Sequence, residues 1–467
     1  MRALALLVLL VGCAPKHLDI DAEMPANYDQ NQTPSIHIND SWWQDFNAPE
    51  LNQIMELALA DNPGYAASAA RLRAAAAQAQ MFGAERYPEV ALGLSGTRRK
   101  QNFIGFPIPG TEDRILSSTS EIFTTNLSVS WELDLWGRVK NTTLAATQDA
   151  ESAYYDHESF RLALIGQVIR TYLAWVETEQ RIDLTQTTVD GYRHTRDQVF
   201  RRYERGMATS LDARLAQTNV AQSEARVTEL KQVAAIQKNT LSTLSGRFAP
   251  NDFLSHPNAL PSMLGPVPAG LPAELIQRRP DIAAAEARLR AAFARHQAAI
   301  KLKYPRFSLT GSLGTSSNQL HDLVNMDAGV WQLIGNLVQP IFQGGRIKAN
   351  IAIRAAELEG AEAKFRESLI QAYNEVHLLI TSEKYLESQV THLAEASDQA
   401  TKAQVLAEAR YRNGIAPYVT VLEAQRRALQ SQSDLIASRR SLLEHRVNLY
   451  LALGGGFKDH VERTPQP

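Results

Sequence analysis

The chain has 467 residues, with 48 Lys and Arg set against 50 Asp and Glu, so neither a polybasic patch nor an acidic tail points to a nucleic-acid partner. That length can hold about two or three ordinary domains. Mean hydropathy is −0.26, and beyond the N-terminal run no stretch reaches the roughly 20 apolar residues of a membrane-spanning helix. Barrel strands, which alternate apolar and polar residues, escape that test.

Met1-Arg2 leads into an apolar run from Ala3 to Val11, followed by Gly12-Cys13. One basic residue, a short hydrophobic core and a small residue at the boundary read as a secretory signal over residues 1–12. Cys13 is the sole cysteine, so it has no internal disulfide partner. It sits where a bacterial lipoprotein signal is cut; a free thiol or chance are the other readings. Residues 13–48 are therefore expected to form a lipidated N-terminal segment, in which acyl chains on Cys13 contribute about 0.8 kcal/mol per buried methylene. No other cofactor is expected.

Two copies of one unit follow, over 49–260 and 261–456, with a tail at 457–467. Ala70-Arg71-Leu72-Arg73-Ala74-Ala75 recurs as Ala287-Arg288-Leu289-Arg290-Ala291-Ala292, and Tyr87-Pro88 recurs as Tyr304-Pro305. Trp136-Gly137-Arg138-Val139-Lys140 has a counterpart in Gly344-Gly345-Arg346-Ile347-Lys348, and Arg202-Tyr203-Glu204-Arg205-Gly206 in Arg410-Tyr411-Arg412-Asn413-Gly414. Landmarks in the same order at similar offsets argue for duplication. Each copy reads helix, strand, loop, strand, very long helix, tight turn, long helix. The strands fall at about 88–98, 122–135, 305–315 and 329–342. The helical hairpins fall at about 138–247, with its tip near 206–212, and at about 346–453, with its tip near 414–423.

In the first strand Val90, Leu92 and Leu94 oppose Ala91, Gly93 and Ser95. In the second, Phe123, Thr125, Leu127, Val129, Trp131, Leu133 and Leu135 alternate with Asn126, Ser128, Ser130, Glu132 and Asp134. This period of two predicts strands with one apolar face, about a dozen residues long, which suits a tilted bilayer-spanning strand. A polar loop is expected from Arg98 to about Ser120. Trp131, Trp136, Tyr87, Tyr304 and Trp331 are candidates for an aromatic girdle. No proline lies between Pro109 and Pro250 or between Pro340 and Pro417, which leaves room for helices of roughly 100 Å. Leu162, Ile165, Ile169, Tyr172 and Val176 form one stripe, and Leu429, Ile436, Leu443 and Tyr450 another at heptad spacing, the mark of helices packed side by side. The helices alone also fit a lipid-tethered coiled-coil scaffold or adaptor; the strands do not. Four strands cannot close a barrel in lipid, so copies of the chain must associate, and periodicity does not choose among two, three or four.

No phosphate-binding glycine loop, His-Glu-x-x-His pair or Gly-x-Ser-x-Gly elbow is present, and the eleven histidines are scattered. Neither enzyme chemistry nor a metal site is expected.

Trp42-Trp43 with Phe46, Pro49 and Leu51, Ala58-Leu59-Ala60-Asp61-Asn62-Pro63, and Trp131-Glu132-Leu133-Asp134-Leu135-Trp136-Gly137-Arg138 resemble the TolC-like outer-membrane factor family. So do Ile276-Gln277-Arg278-Arg279-Pro280-Asp281 and Arg410-Tyr411-Arg412-Asn413-Gly414 with Val421-Leu422-Glu423-Ala424-Gln425. The similarity is to the lipoprotein branch that serves resistance-nodulation-division pumps. It implies an α+β membrane channel: a homotrimer whose twelve-stranded transmembrane β-barrel, four strands per chain, continues into a long periplasmic α-helical barrel. It implies outer-membrane lipid, a periplasmic membrane-fusion adaptor and an inner-membrane pump as partners, with passive efflux of drugs or other small toxic compounds as the function. The exit duct of a type I secretion system is an alternative. The resemblance also implies acylation of Cys13 and, with Ala14 behind it, sorting to the outer membrane. Gly206 and Gly414 mark the hairpin-tip turns and adaptor contact. Just beyond them the resemblance places a periplasmic gate at Leu211, Asp212, Val419, Thr420 and Glu423. Glu423 stands where the family more usually has Asp, and Ala416 and Tyr418 stand where others place polar or charged groups. Three copies of Glu423 would form a carboxylate ring favouring cations.

Overall fold

The computed structural model describes residues 39–103, 116–248, 259–261 and 279–457. Cys13 and the expected signal lie outside the described residues, as does most of the 13–48 segment. In chain order the helices are α1 (Pro49–Asp61), α2 (Pro63–Ala84), α3 (Arg138–Glu204), α4 (Ser210–Leu244), α5 (Pro280–Lys301), α6 (Arg346–Arg412) and α7 (Tyr418–Ala452). The strands are β1 (Glu89–Phe103) and β2 (Leu116–Leu133), between α2 and α3, and β3 (Arg306–Ser317) and β4 (Gly329–Val338), between α5 and α6. Helix lengths recur: 22 residues in α2 and α5, 67 in α3 and α6, 35 in α4 and α7. No described helix is long and apolar enough to cross a membrane.

The chain divides into two compact units, one built on Ala74–Glu151 and Glu286–Lys364, the other on Glu23–Arg73, Ser152–Ala285 and the residues from Phe365 on. The first unit holds an antiparallel sheet in the order β1-β2-β3-β4. Its register sets Leu92 opposite Leu127, Leu127 opposite Leu313 and Leu313 opposite Trp331. One pleat nearer the helices, Val90, Val129, Gly311 and Leu333 align in the same way. Directly opposed residues share a face, so the period-two pattern of four separate segments merges into one apolar surface. Asn126, Ser128, Ser130, Thr310, Ser312, Gln332 and Asn336 occupy the other face. Among the described residues no core covers the apolar surface: Leu92 is 68 % exposed, Leu313 56 %, Trp331 78 %.

Strand limits differ from expectation where apolar content was a poor guide. β1 and β2 pair on through Phe103 and Leu116, into both ends of what reads as loop between Arg98 and Ser120. Ser117, Ser118, Thr119 and Ser120 need no apolar face to join a ladder, because backbone groups make it. β2 ends at Leu133 rather than 135, and the Asp134 carboxylate turns to accept from the Lys140 N–H at 2.7 Å, in the first turn of α3. β4 ends at Val338 rather than 342, since Pro340 has no N–H for a ladder. Gly314 sits where any Cβ would run into the Thr125 carbonyl.

In the second unit the stripe Leu162, Ile165, Ile169, Tyr172 and Val176 is buried. Leu51, Ile54, Met55 and Ala58 of α1, together with Trp42 and Phe46 of the single 3-10 turn before it, join the same core. Trp42 also stacks on Tyr450, with ring centres 4.6 Å apart and planes 3° from parallel. Asn62 holds the α1–α2 junction. Its amide donates to the Leu244 carbonyl, and its Oδ1 accepts from the Tyr65 N–H. Pro63 directs the chain out of α1 because the residue before a proline disfavours helical geometry. Within the heptad of α7, Leu443 is buried, whereas Leu429, Ile436 and Tyr450 are half-buried.

Candidate functional site

Both hairpin turns lie in the second unit and have the same backbone. Gly206 adopts φ 69° and Gly414 φ 75°. The Gly206 N–H donates to the Tyr203 carbonyl at 2.9 Å and the Met207 N–H to that of Arg202 at 2.8 Å. The Gly414 N–H reaches Tyr411 and the Ile415 N–H reaches Arg410, each at 2.9 Å. This pair of bonds is the Schellman termination, whose left-handed residue favours glycine. The return helices begin differently. Thr209 and Asp212 form a reciprocal capping box at the start of α4. Pro417 occupies the N-cap of α7, one residue before its first helical turn, and supplies no side-chain cap.

Each expected gate residue can be placed. Leu211 is 63 % exposed and Val419 53 %. Thr420 is exposed, and Asp212 is half-buried beneath its capping bonds. Glu423 is exposed and accepts from Arg427 Nε at 2.7 Å. Such an exposed pair contributes well under 1 kcal/mol, so the Glu423 carboxylate is held only loosely by its neighbour.

The side chains that join the two hairpins are others, and their reach from one hairpin to the other was not legible in the sequence. The Arg202 guanidinium lies 4.8 Å from the centre of the Tyr411 ring, and its Nη1 donates to the Tyr411 carbonyl at 2.7 Å. Buried Gln425 donates to Glu408 Oε1 at 2.9 Å and to Thr195 Oγ1 at 3.3 Å. Val199, Ala213, Ala216, Tyr411, Tyr418 and Val421 form a small core around these bonds. Burial raises the Tyr411 phenol, against the lowering pull of Arg202. Burial likewise raises Tyr418 and pushes Tyr192 up to about 12, with Tyr418 adding to the latter. These phenols stay neutral across the physiological range and act as packing groups.

In the first unit, aromatic side chains mark both ends of the apolar face. Near the helices, Trp136 stacks on Tyr304 with centres 5.2 Å apart and donates to the Pro305 carbonyl, while Trp131 donates to that of Arg86. Trp331 lies toward the opposite end, two residues into β4. An apolar strand surface with amphipathic rings at its margins is what a bilayer with two interfaces selects.

A small amphipathic sheet of two strand pairs, each followed in the chain by a long helical hairpin, defines the class of TolC-like outer-membrane channels. The chain belongs to the outer membrane efflux protein family, whose model matches residues 54–247 and 271–455. It is 31 % identical over 470 residues to the probable efflux pump outer membrane protein TtgC of Pseudomonas putida, covering 98 % of this chain and 96 % of that protein. It is 32 % identical over 421 residues to the pyoverdine export outer membrane protein OpmQ of the same species, covering 89 % and 88 %. Among solved structures, the outer-membrane channel OprN superposes with a TM-score of 0.85 at 27 % identity, over 93 % of this chain and 96 % of that one. The Campylobacter jejuni CmeC outer membrane channel shares the fold, with a TM-score of 0.87 at 23 % identity over 96 % and 95 %. The chain is an outer-membrane efflux component.

Proposed function

We propose that three copies of this chain close their sheets edge to edge into a twelve-stranded barrel, and their long helices into a periplasmic duct that passively conducts small organic compounds. The carrying observation is the sheet itself. It exposes an apolar face and, among the described residues, leaves one edge of β1 and one of β4 unpaired, a state that lipid does not tolerate until the edges meet. Twelve strands is an even number within the range of bacterial barrels. Duplication within the chain is supported by the recurring helix lengths and by the family model's separate matches to the two halves. Acyl groups on Cys13 would add a tether, and a periplasmic adaptor with a resistance-nodulation-division pump would deliver the cargo. Relatives named for toluene efflux, antibiotic efflux and pyoverdine export support small organic compounds as that cargo.

The duct would narrow at Leu211, Asp212, Val419, Thr420 and Glu423, beyond the turns at Gly206 and Gly414 that an adaptor would meet. The exposure of Leu211, Val419 and Glu423 in a single chain supports this reading. The test pairs assembly with conductance. Native mass measurement of detergent-extracted protein should give a trimer, which heating in SDS should convert into a faster-migrating monomer. Val419→Ala combined with Glu423→Ala should raise single-channel conductance. A monomer that needs no detergent after delipidation overturns the channel, and unchanged conductance removes the gate.

A further inference from the structure

On the apolar face, β1 presents Val90, Leu92, Leu94, Gly96, Arg98 and Lys100 in succession. Apolar side chains give way to two cations across a single glycine. The matching row of β2 runs Val129, Leu127, Thr125, Phe123, Glu121 and Thr119, so the change falls at one level on both strands. β3 stops pairing opposite Phe123. Arg98 and Lys100 therefore stand on a two-stranded extension just above the top of the apolar surface, at the end of the sheet away from α2 and α3. Arg98 makes one ion pair, Nε to Glu121 Oε1 at 3.1 Å, with its side chain still 77 % exposed. Lys100 lies opposite Thr119 and has no ion-pair partner among the described residues. Arg99 points to the other face.

A second observation marks the upper end of the apolar face. The carbonyl of Leu323, in the β3–β4 connection, accepts from the hydroxyls of Thr125 and Thr315, both on the apolar face. This holds a short 3-10 turn, Leu320–Val324, against that face with Leu320 62 %, Val324 90 % and Met326 79 % exposed. Large apolar side chains fixed in the open at the upper end of the apolar face suit a boundary where acyl chains end and headgroups begin.

We propose that Arg98 and Lys100 bind the phosphate groups of an anionic glycolipid in the outer leaflet of the outer membrane. The inference rests on the barrel reading above, which puts this face against lipid and this end outside. Long basic side chains lay their stems along apolar surface and carry the charge outward, and the guanidinium fork matches phosphate oxygens. Leu92 and Leu94 directly below supply a wall for the acyl chains. Glu121 competes with the phosphate for Arg98.

Full-length protein purified in detergent is incubated with lipopolysaccharide bearing phosphorylated lipid A, and the glycolipid retained per chain is measured by mass. Arg98→Gln with Lys100→Gln should lower retention on the order of tenfold. Arg99→Gln, on the opposite face, should leave it unchanged, and Glu121→Gln should raise it. Dephosphorylated lipid A should bind the wild type no better than phosphorylated lipid A binds the double variant. Equal losses in the double variant and in Arg99→Gln overturn the site, because they show unspecific attraction. Conductance and outer-membrane fractionation separate the two readings. A wild-type chain that stays out of the outer membrane overturns barrel and lipid site together. A conducting channel whose double variant keeps its glycolipid overturns the lipid site alone.

Discussion

Arg202 and Arg410 occupy equivalent places in two occurrences of an Arg-Tyr motif, and their neighbours have opposite fates: Tyr411 is 6 % exposed and Tyr203 45 %. Arg202 reaches the second hairpin and clasps Tyr411 from above and through its carbonyl. The repeated letters made both turns legible but concealed this asymmetry, which depends on which hairpin faces which. Gly206 and Gly414 were readable because a helix that reverses needs a left-handed residue. Gln425 was not, since its partners Thr195 and Glu408 are distant in the chain. Arg202→Ala removes a cation–π contact and a charge-assisted bond, together about 1–3 kcal/mol. Single-channel records should show more frequent and longer openings, whereas Arg410→Ala should leave them near wild type. The buried phenols give a second test. A folded-state value raised to about 12 for Tyr192 means that its stabilising contribution is complete below the ordinary phenol value near 10 and is lost as pH climbs toward 12. Alkaline absorbance titration should show a late phase that Tyr192→Phe diminishes.

At the scale of elements, alternation read one strand at a time located the sheet, because a face that meets lipid must be apolar at every second residue. It understated β1 and β2, whose outer halves have lost that requirement. It could not supply the cross-strand register, which depends on all four strands meeting. The register predicts that adjacent residues respond oppositely to the same charge. Leu127→Arg places a cation on the apolar face, at a cost that rises with depth to about 2–4 kcal/mol, seen as a fall in heat-modifiable protein in the outer-membrane fraction. Ser128→Arg, one residue on, faces the polar side and should assemble at close to wild-type yield. In α1 the core pattern was legible as helix but not as a cover for α3. Ile54→Ala, at a site 1 % exposed, should cost about 2–5 kcal/mol, read as a lower temperature of heat modification.

For the whole molecule, α3 and α6 are equal in length, as are α4 and α7. Each outgoing helix delivers its turn after the same number of residues, so the pair works as a ruler with a phase. Removing one residue turns everything beyond it by about 100°, whereas removing seven turns it by only about 20°. Deleting exposed Thr187 alone should swing Arg202 away from Tyr411 while sparing the core from Leu162 to Val176, and the channel should leak. Taking seven residues from each of the four long helices should preserve the contacts at the tips and shorten the conduit by roughly 10 Å. A conduit of this design can therefore be retuned to a shallower or deeper cell envelope only in steps close to whole helical turns, such as seven or eleven residues, made in both halves of the chain at once.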